Sequence, residues 1–110
     1  MPKDLNITIL LDVYGQLLTE KQRFAIDMYY NEDLSLAEIA EEIDISRQGV
    51  RDSIKQGEKH LVEYEEQLGI VKRFHNINSH IGKLRELLNK CGFKEIEEAE
   101  EILKRISEEI

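Results

Sequence analysis

Apolar residues recur at helical spacing along almost the whole chain. Leu5, Ile9, Leu10, Val13 and Leu17 predict a first helix over 5–18, with Gly15 softening its end. Thr19, with Gln22 three residues later, forms a capping box that opens a second helix over about 20–31. Phe24, Ile26, Met28 and Tyr29 or Tyr30 are its candidates for burial. Ser35 and Glu38 repeat the box and open a third helix over about 36–43, with Ile39, Ala40 and Ile43 on one face. Ser46 caps a fourth helix, which continues to Leu68 before Gly69 and carries the stripe Val50, Ile54, Leu61. At ~1.5 Å per residue that helix is over 30 Å long. Its distal half, with Leu61, Tyr64 and Leu68, is expected to lean on the last third of the chain.

That last third carries two seams. Ile70, Phe74, Ile77, Ile81, Leu84, Leu88 and Cys91 alternate steps of four and three until Gly92, a heptad pattern. Ile96, Ala99, Leu103, Ile106 and Ile110 form a second seam. The expected class is all-α. The expected organisation is a helix-turn-helix domain over 1–69 and a helical hairpin over 70–110, packed on the long helix or on a second subunit. The seams favour a homodimer.

The stretch from Ser35 to Ile54 carries the most information. Two capped helices, the first short, are joined by about 3–4 residues, which is a helix-turn-helix. Ala40 is small where the helices would cross. Ile45 would plug the angle after the turn, and Val50 would face back onto the first helix. Asp44 stands where glycine is usual, and aspartate tolerates a left-handed turn.

Composition narrows the class. Among 110 residues there is one proline and one cysteine, and the formal net charge is −8. No apolar run approaches the ~20 residues of a membrane span. The opening Met-Pro-Lys-Asp-Leu-Asn is unlike a secretory signal, and a single Cys91 forms no internal disulfide, so the cytosol is the expected compartment. The acidic balance excludes a protein that lives by non-specific attachment to nucleic acid. The charge is unevenly placed: net −7 over 1–45, +1 over 46–75 and −2 over 76–110. The only basic stretch therefore begins at the second helix of the motif.

There Arg47, Arg51, Lys55 and Lys59 recur every four residues on one helix face, flanked by Gln48 and Asp52. Arginine and glutamine near the start of a recognition helix suit base edges in a major groove, arginine on guanine and glutamine on adenine. A solvated helix face gives the same pattern. Gly49 and Gly57, inside the same helix, are best read as close helix packing. His60, His75 and His80 lack metal-ligand spacing, the carboxylate clusters read as solvated faces, and no phosphate loop or nucleophile elbow is present. No catalytic residue, metal or cofactor is expected.

Residues 18 to about 61, from Leu18-Thr-Glu-Lys-Gln-Arg-Phe through Leu34-Ser-Leu-Ala-Glu-Ile-Ala to Ser46-Arg-Gln-Gly-Val-Arg51, resemble region 4 of bacterial sigma factors. Nothing elsewhere resembles the other sigma regions. The whole chain, including Ile7–Gly15, Ser46–Ser53 and the two-helix tail, resembles the YlxM-like family of small helix-turn-helix proteins. That resemblance implies an association with the signal recognition particle pathway, whose GTPase genes neighbour the family's, and a regulatory role on the particle's RNA or GTPases. It supplies no catalytic residues, and through the motif it maps only Arg47, Gln48, Arg51 and Lys55.

Three readings follow. The first is a non-enzymatic regulator or accessory factor of the signal recognition particle. The second is a sequence-specific DNA-binding transcriptional regulator. The third is a scaffold that only dimerises through its tail. The basic face carries no aromatic residue, so any RNA contact would be to phosphates or to shape.

Overall fold

The computed structural model describes residues 3–91 and 96–109. Among them lie six α-helices, α1 (Asn6–Tyr14), α2 (Glu20–Tyr30), α3 (Leu36–Ile43), α4 (Arg47–Leu68), α5 (Ile70–Cys91) and α6 (Ile96–Glu109). A 3-10 turn at Gly15–Leu17 follows α1, and no strand is present among the described residues. None of these helices is long and apolar enough to cross a membrane. The chain divides into one unit ending at Val71 and another beginning at Lys72.

Local chemistry starts the helices of the first unit. The Thr19 hydroxyl accepts from the Gln22 amide at 3.2 Å, and the Gln22 side chain accepts from the Thr19 amide at 3.3 Å. Ser35 and Glu38 make the same exchange at 3.1 Å each way. Ser46 accepts from the Gly49 amide at 3.0 Å. Two donors left over at a helix start are satisfied by each full box, without help from the rest of the fold.

Helix α4 is the axis of this unit, packed by α1, α2 and α3. Its buried line is Val50, Ile54, Gly57 and Leu61. Against it lie Ile7, Leu10, Leu11 and Tyr14 of α1, Ala25, Ile26 and Tyr30 of α2, and Ile39 of α3. Gly57 is required by contact: a Cβ there would stand 2.5 Å from Ile26 Cδ1. Gly49 answers to its own cap instead, with Ser46 Oγ 3.2 Å from where its Cβ would be. Close helix packing therefore explains the first glycine and not the second.

Two expectations about packing are corrected. The face that α1 buries is Ile7, Leu10, Leu11 and Tyr14, whereas Leu5, Ile9 and Leu17 are exposed. The helix is apolar on two sides, and the buried side is the one holding Tyr14. Phe24 is exposed, with the Arg23 guanidinium 5.2 Å from its ring centroid, and Ala25 takes the buried position beside it. On the distal half of α4, Leu61 is fully buried in the core it shares with α1, and the Tyr64 ring lies 6.0 Å from that of Tyr14.

Two buried tyrosine hydroxyls tie α1 and α2 to α4. Tyr14 donates to Glu65 at 2.6 Å and accepts from the Ile70 amide at 3.1 Å, and Glu65 also accepts from the Val71 amide at 3.0 Å. Tyr30 donates to Glu58 at 2.6 Å and accepts from the Asp4 amide at 3.2 Å. Burial, then the hydrogen bond to Glu58, pushes the Tyr30 hydroxyl up to about 12. Burial, then Glu65, raises Tyr14 in the same direction.

The second unit holds the rest of α5 and α6. Ile81 and Leu103 are its buried aliphatic residues, and Arg85 Nε lies 3.2 Å from Glu100 Oε2, joining the two helices. Leu84 and Ile106, expected inside the seams, are exposed. The side chain of Cys91, Gly92 after it, and Ile110 lie outside the described residues.

Candidate nucleic-acid interface

The turn between α3 and α4 is built as its sequence requires. Helix α3 ends at Asp44, in the left-handed region at φ 54°, and the Asp44 amide donates to the Ala40 carbonyl. The Ile45 amide reaches the same carbonyl at 3.2 Å. Aspartate here accepts a conformation that most side chains resist, so the missing glycine is tolerated. Ile45 and Ala40 pack at the edge of the core, and Val50 is fully buried beneath them. With Val50 and Ile54 turned inward, the opposite side of α4 is left to solvent.

Arg47, Gln48, Arg51, Lys55 and Lys59 are all exposed on that side. They do not form a single straight row. A step of four residues turns about 40° further round a helix of 3.6 residues per turn, so the four cations sweep roughly 120°. Arg47 lies at the motif's turn, lining an open cleft with Ala37, Ala40, Glu41, Asp44, Ile45 and Ser46. Lys55 and Lys59 lie on the rim of a separate groove between the start of α1 and α4, with Asp4, Ile7, Glu58, Val62, Glu63 and Glu66. Arg51 falls between the two. The cluster is thus split: Arg47, Gln48 and Arg51 belong to the tip of the motif, and the two lysines belong to a groove rich in carboxylates.

Gln48 is held by its own helix, its amide nitrogen donating to Asp52 Oδ1 at 2.9 Å. That bond fixes the side chain and leaves its carbonyl oxygen free to accept. Sequence spacing alone contained this pair, four residues apart, but did not single it out. Acid lies beside the tip, because Glu41 and Asp44 line the cleft with Arg47, and Glu38 and Glu42 of α3 are exposed. The Glu38 carboxyl is held below its usual range by the Ser35 amide it accepts from, so it stays charged. A polyanion meets this motif with attraction from α4 and repulsion from α3.

No group of three or more His, Cys, Asp or Glu is placed to hold a metal among the described residues. His60 stacks against Tyr64 with centroids 6.3 Å apart and sits 3.7 Å from Glu63, while His75 and His80 are exposed.

A family described as "Putative helix-turn-helix protein, YlxM / p13 like" matches residues 1–106. A UPF0122 protein of Thermoanaerobacter sp. (strain X514) is 48% identical over 107 residues, covering 94% of this chain and 87% of its own. One from Clostridium kluyveri is 51% identical over 80 residues, 73% of this chain and 72% of its own. One from Bacillus cereus (strain AH187) is 42% identical over 110 residues, all of this chain and 96% of its own. With its sequence matched nearly end to end and its helices folded into the motif that gives the family its description, the chain belongs to the UPF0122 family of YlxM/p13-like helix-turn-helix proteins.

Proposed function

We propose that this protein is a non-enzymatic, cytoplasmic regulatory or accessory factor of the signal recognition particle pathway. It engages the particle's RNA, its GTPases or their complex through the tip of the helix-turn-helix. The observation that carries the reading is the exposed trio Arg47, Gln48 and Arg51 at the start of α4, presented by a capped and well-packed motif and bounded by acidic α3. A cationic tip inside an acidic surround suits a target that offers both phosphate and basic protein surface, and it suits unselective duplex binding poorly. The pathway itself comes from the resemblance to the YlxM-like family. The protein is expected to act as a homodimer.

The test is direct binding of the full chain to the particle's RNA, to its GTPases and to their complex. Retention at micromolar concentration, lost on Arg51→Glu, is the expected result. Absence of binding to all three contradicts the reading.

One feature favours a second reading, a sequence-specific DNA-binding regulator. Arg47, Gln48 and Arg51 are exposed at the start of α4, and the first residues of a recognition helix contact base edges in duplex-binding helix-turn-helix proteins. It requires a footprint on chromosomal DNA that Arg51→Glu abolishes.

A further inference from the structure

The second unit leaves aliphatic surface bare. Leu84 is 46% exposed, Leu87 59%, Ile102 57% and Ile106 41%. These four lie on the same side of the hairpin. On a helix that turns about 100° per residue, Leu84 and Leu87 fall to one side of buried Ile81 and Arg85 to the other. Likewise Ile102 and Ile106 fall to one side of buried Leu103, and Glu100 to the other. Arg85 pairs with Glu100, so their shared side is one face of the hairpin and the four aliphatic residues line the opposite face.

The charge of this face is divided by helix. From Lys72 to Cys91, α5 carries five basic side chains and one acidic, a net of +4; α6 carries two basic and six acidic, a net of −4. By the same periodicity, Lys83 and Lys90 edge the apolar strip on α5, and Glu98, Arg105 and Glu109 edge it on α6; all five are exposed. The strip thus has a positive rim on one long side and a rim of net negative charge on the other.

We infer that this face is the homodimer interface, with two hairpins stacked as a four-helix bundle in which α5 of one copy lies antiparallel on α6 of the other. The inference rests on the homodimer of the proposed function and names the surface that makes it. Two-fold packing presents the same patch from both copies. If α5 lay on α5, like charge would meet like along both rims. If α5 lies on the partner's α6, each positive rim meets one of net negative charge, twice per dimer. Bare aliphatic side chains each offer on the order of 100 Å². Four half-bare ones from each copy therefore give a shared apolar centre of roughly 400 Å², and the rims extend it toward the ~1,200 Å² of a stable contact.

The test is sedimentation equilibrium on the full chain, with far-ultraviolet circular dichroism to confirm that each variant keeps its helices. The wild type is expected to be a dimer at micromolar concentration. Lys83→Glu with Lys90→Glu in one chain, and Glu98→Lys with Glu109→Lys in another, should each weaken self-association at least tenfold. An equal mixture of the two variants should restore a heterodimer, because the reversed rims are then opposite in sign to each other. A wild-type monomer overturns both the surface and the homodimer. A dimer indifferent to both reversals, or a mixture that stays monomeric, overturns the surface alone and leaves the homodimer standing. None of these outcomes depends on nucleic-acid or particle binding.

Discussion

The two units of this chain bury their apolar residues to very different extents. Up to Val71, a continuous core from Ile7 to Leu61 is closed on itself and fastened by two tyrosine–carboxylate bonds. From Lys72 onward, two helices bury Ile81 and Leu103 and leave four large aliphatic residues half bare. The first unit has three helices around a fourth and closes a core between them, with Leu5, Ile9, Leu17 and Phe24 left on its surface. A two-helix hairpin has no second layer to cover its outer face. The unit that presents the binding tip therefore has a layered core of its own, and the hairpin buries little beyond Ile81 and Leu103.

Substitutions sharpen the contrast. The largest effect is expected from Ile54→Ala, which empties a fully buried site on α4 and should cost about 2–5 kcal/mol by chemical denaturation. Leu87→Ala, on the bare face of α5, should cost a monomeric chain less than about 0.5 kcal/mol and show its effect in the association constant. Tyr14→Phe removes the hydroxyl that donates to Glu65 and accepts from Ile70, so the Ile70 amide loses that acceptor. It should cost about 1–3 kcal/mol, measured in the same way.

Alkaline pH probes the same pegs. The folded-state value of Tyr30 is raised from 10.0 to about 12, so its contribution is complete below pH 10. Above that the unfolded chain ionises first, and the contribution is lost as pH rises toward 12. Tyr14 is shifted the same way. Thermal melts should fall steeply over that interval, with phenolate absorbance appearing alongside unfolding, and Tyr30→Phe should flatten the fall. A smaller effect is expected from Ser46→Ala, which removes the cap of α4 and should cost about 1 kcal/mol. Smallest of all, Arg51→Glu at a fully solvated site should leave stability within about 0.5 kcal/mol of wild type, so that lost binding can be read as lost contact.

What the sequence revealed was whatever is decided within a few residues. Thr19 with Gln22, Ser35 with Glu38, Ser46, the left-handed Asp44 and the stop at Gly69 are all local, and each stands where the pattern placed it. The buried face of α1 was illegible because Leu5, Ile9, Val13 and Leu17 make as good a stripe as Ile7, Leu10, Leu11 and Tyr14. Only the reach of Tyr14 to Glu65, fifty-one residues away, separates them. Phe24 was misread because size suggests burial, whereas α2 turns small Ala25 toward α4. At the candidate interface, the exposed cations were visible as a spacing of four. Their split between the motif's tip and the α1–α4 groove depends on how far a helix turns in three such steps and on what packs beside it.

The most direct measurement is a competition. Labelled full-length protein is bound to the reconstituted signal recognition particle in moderate salt and challenged with excess duplex DNA from its own chromosome. The account predicts that the particle keeps the protein and that Arg51→Glu releases it. Displacement by DNA in a sequence-dependent manner would contradict that account and identify the start of α4 as a reader of duplex DNA.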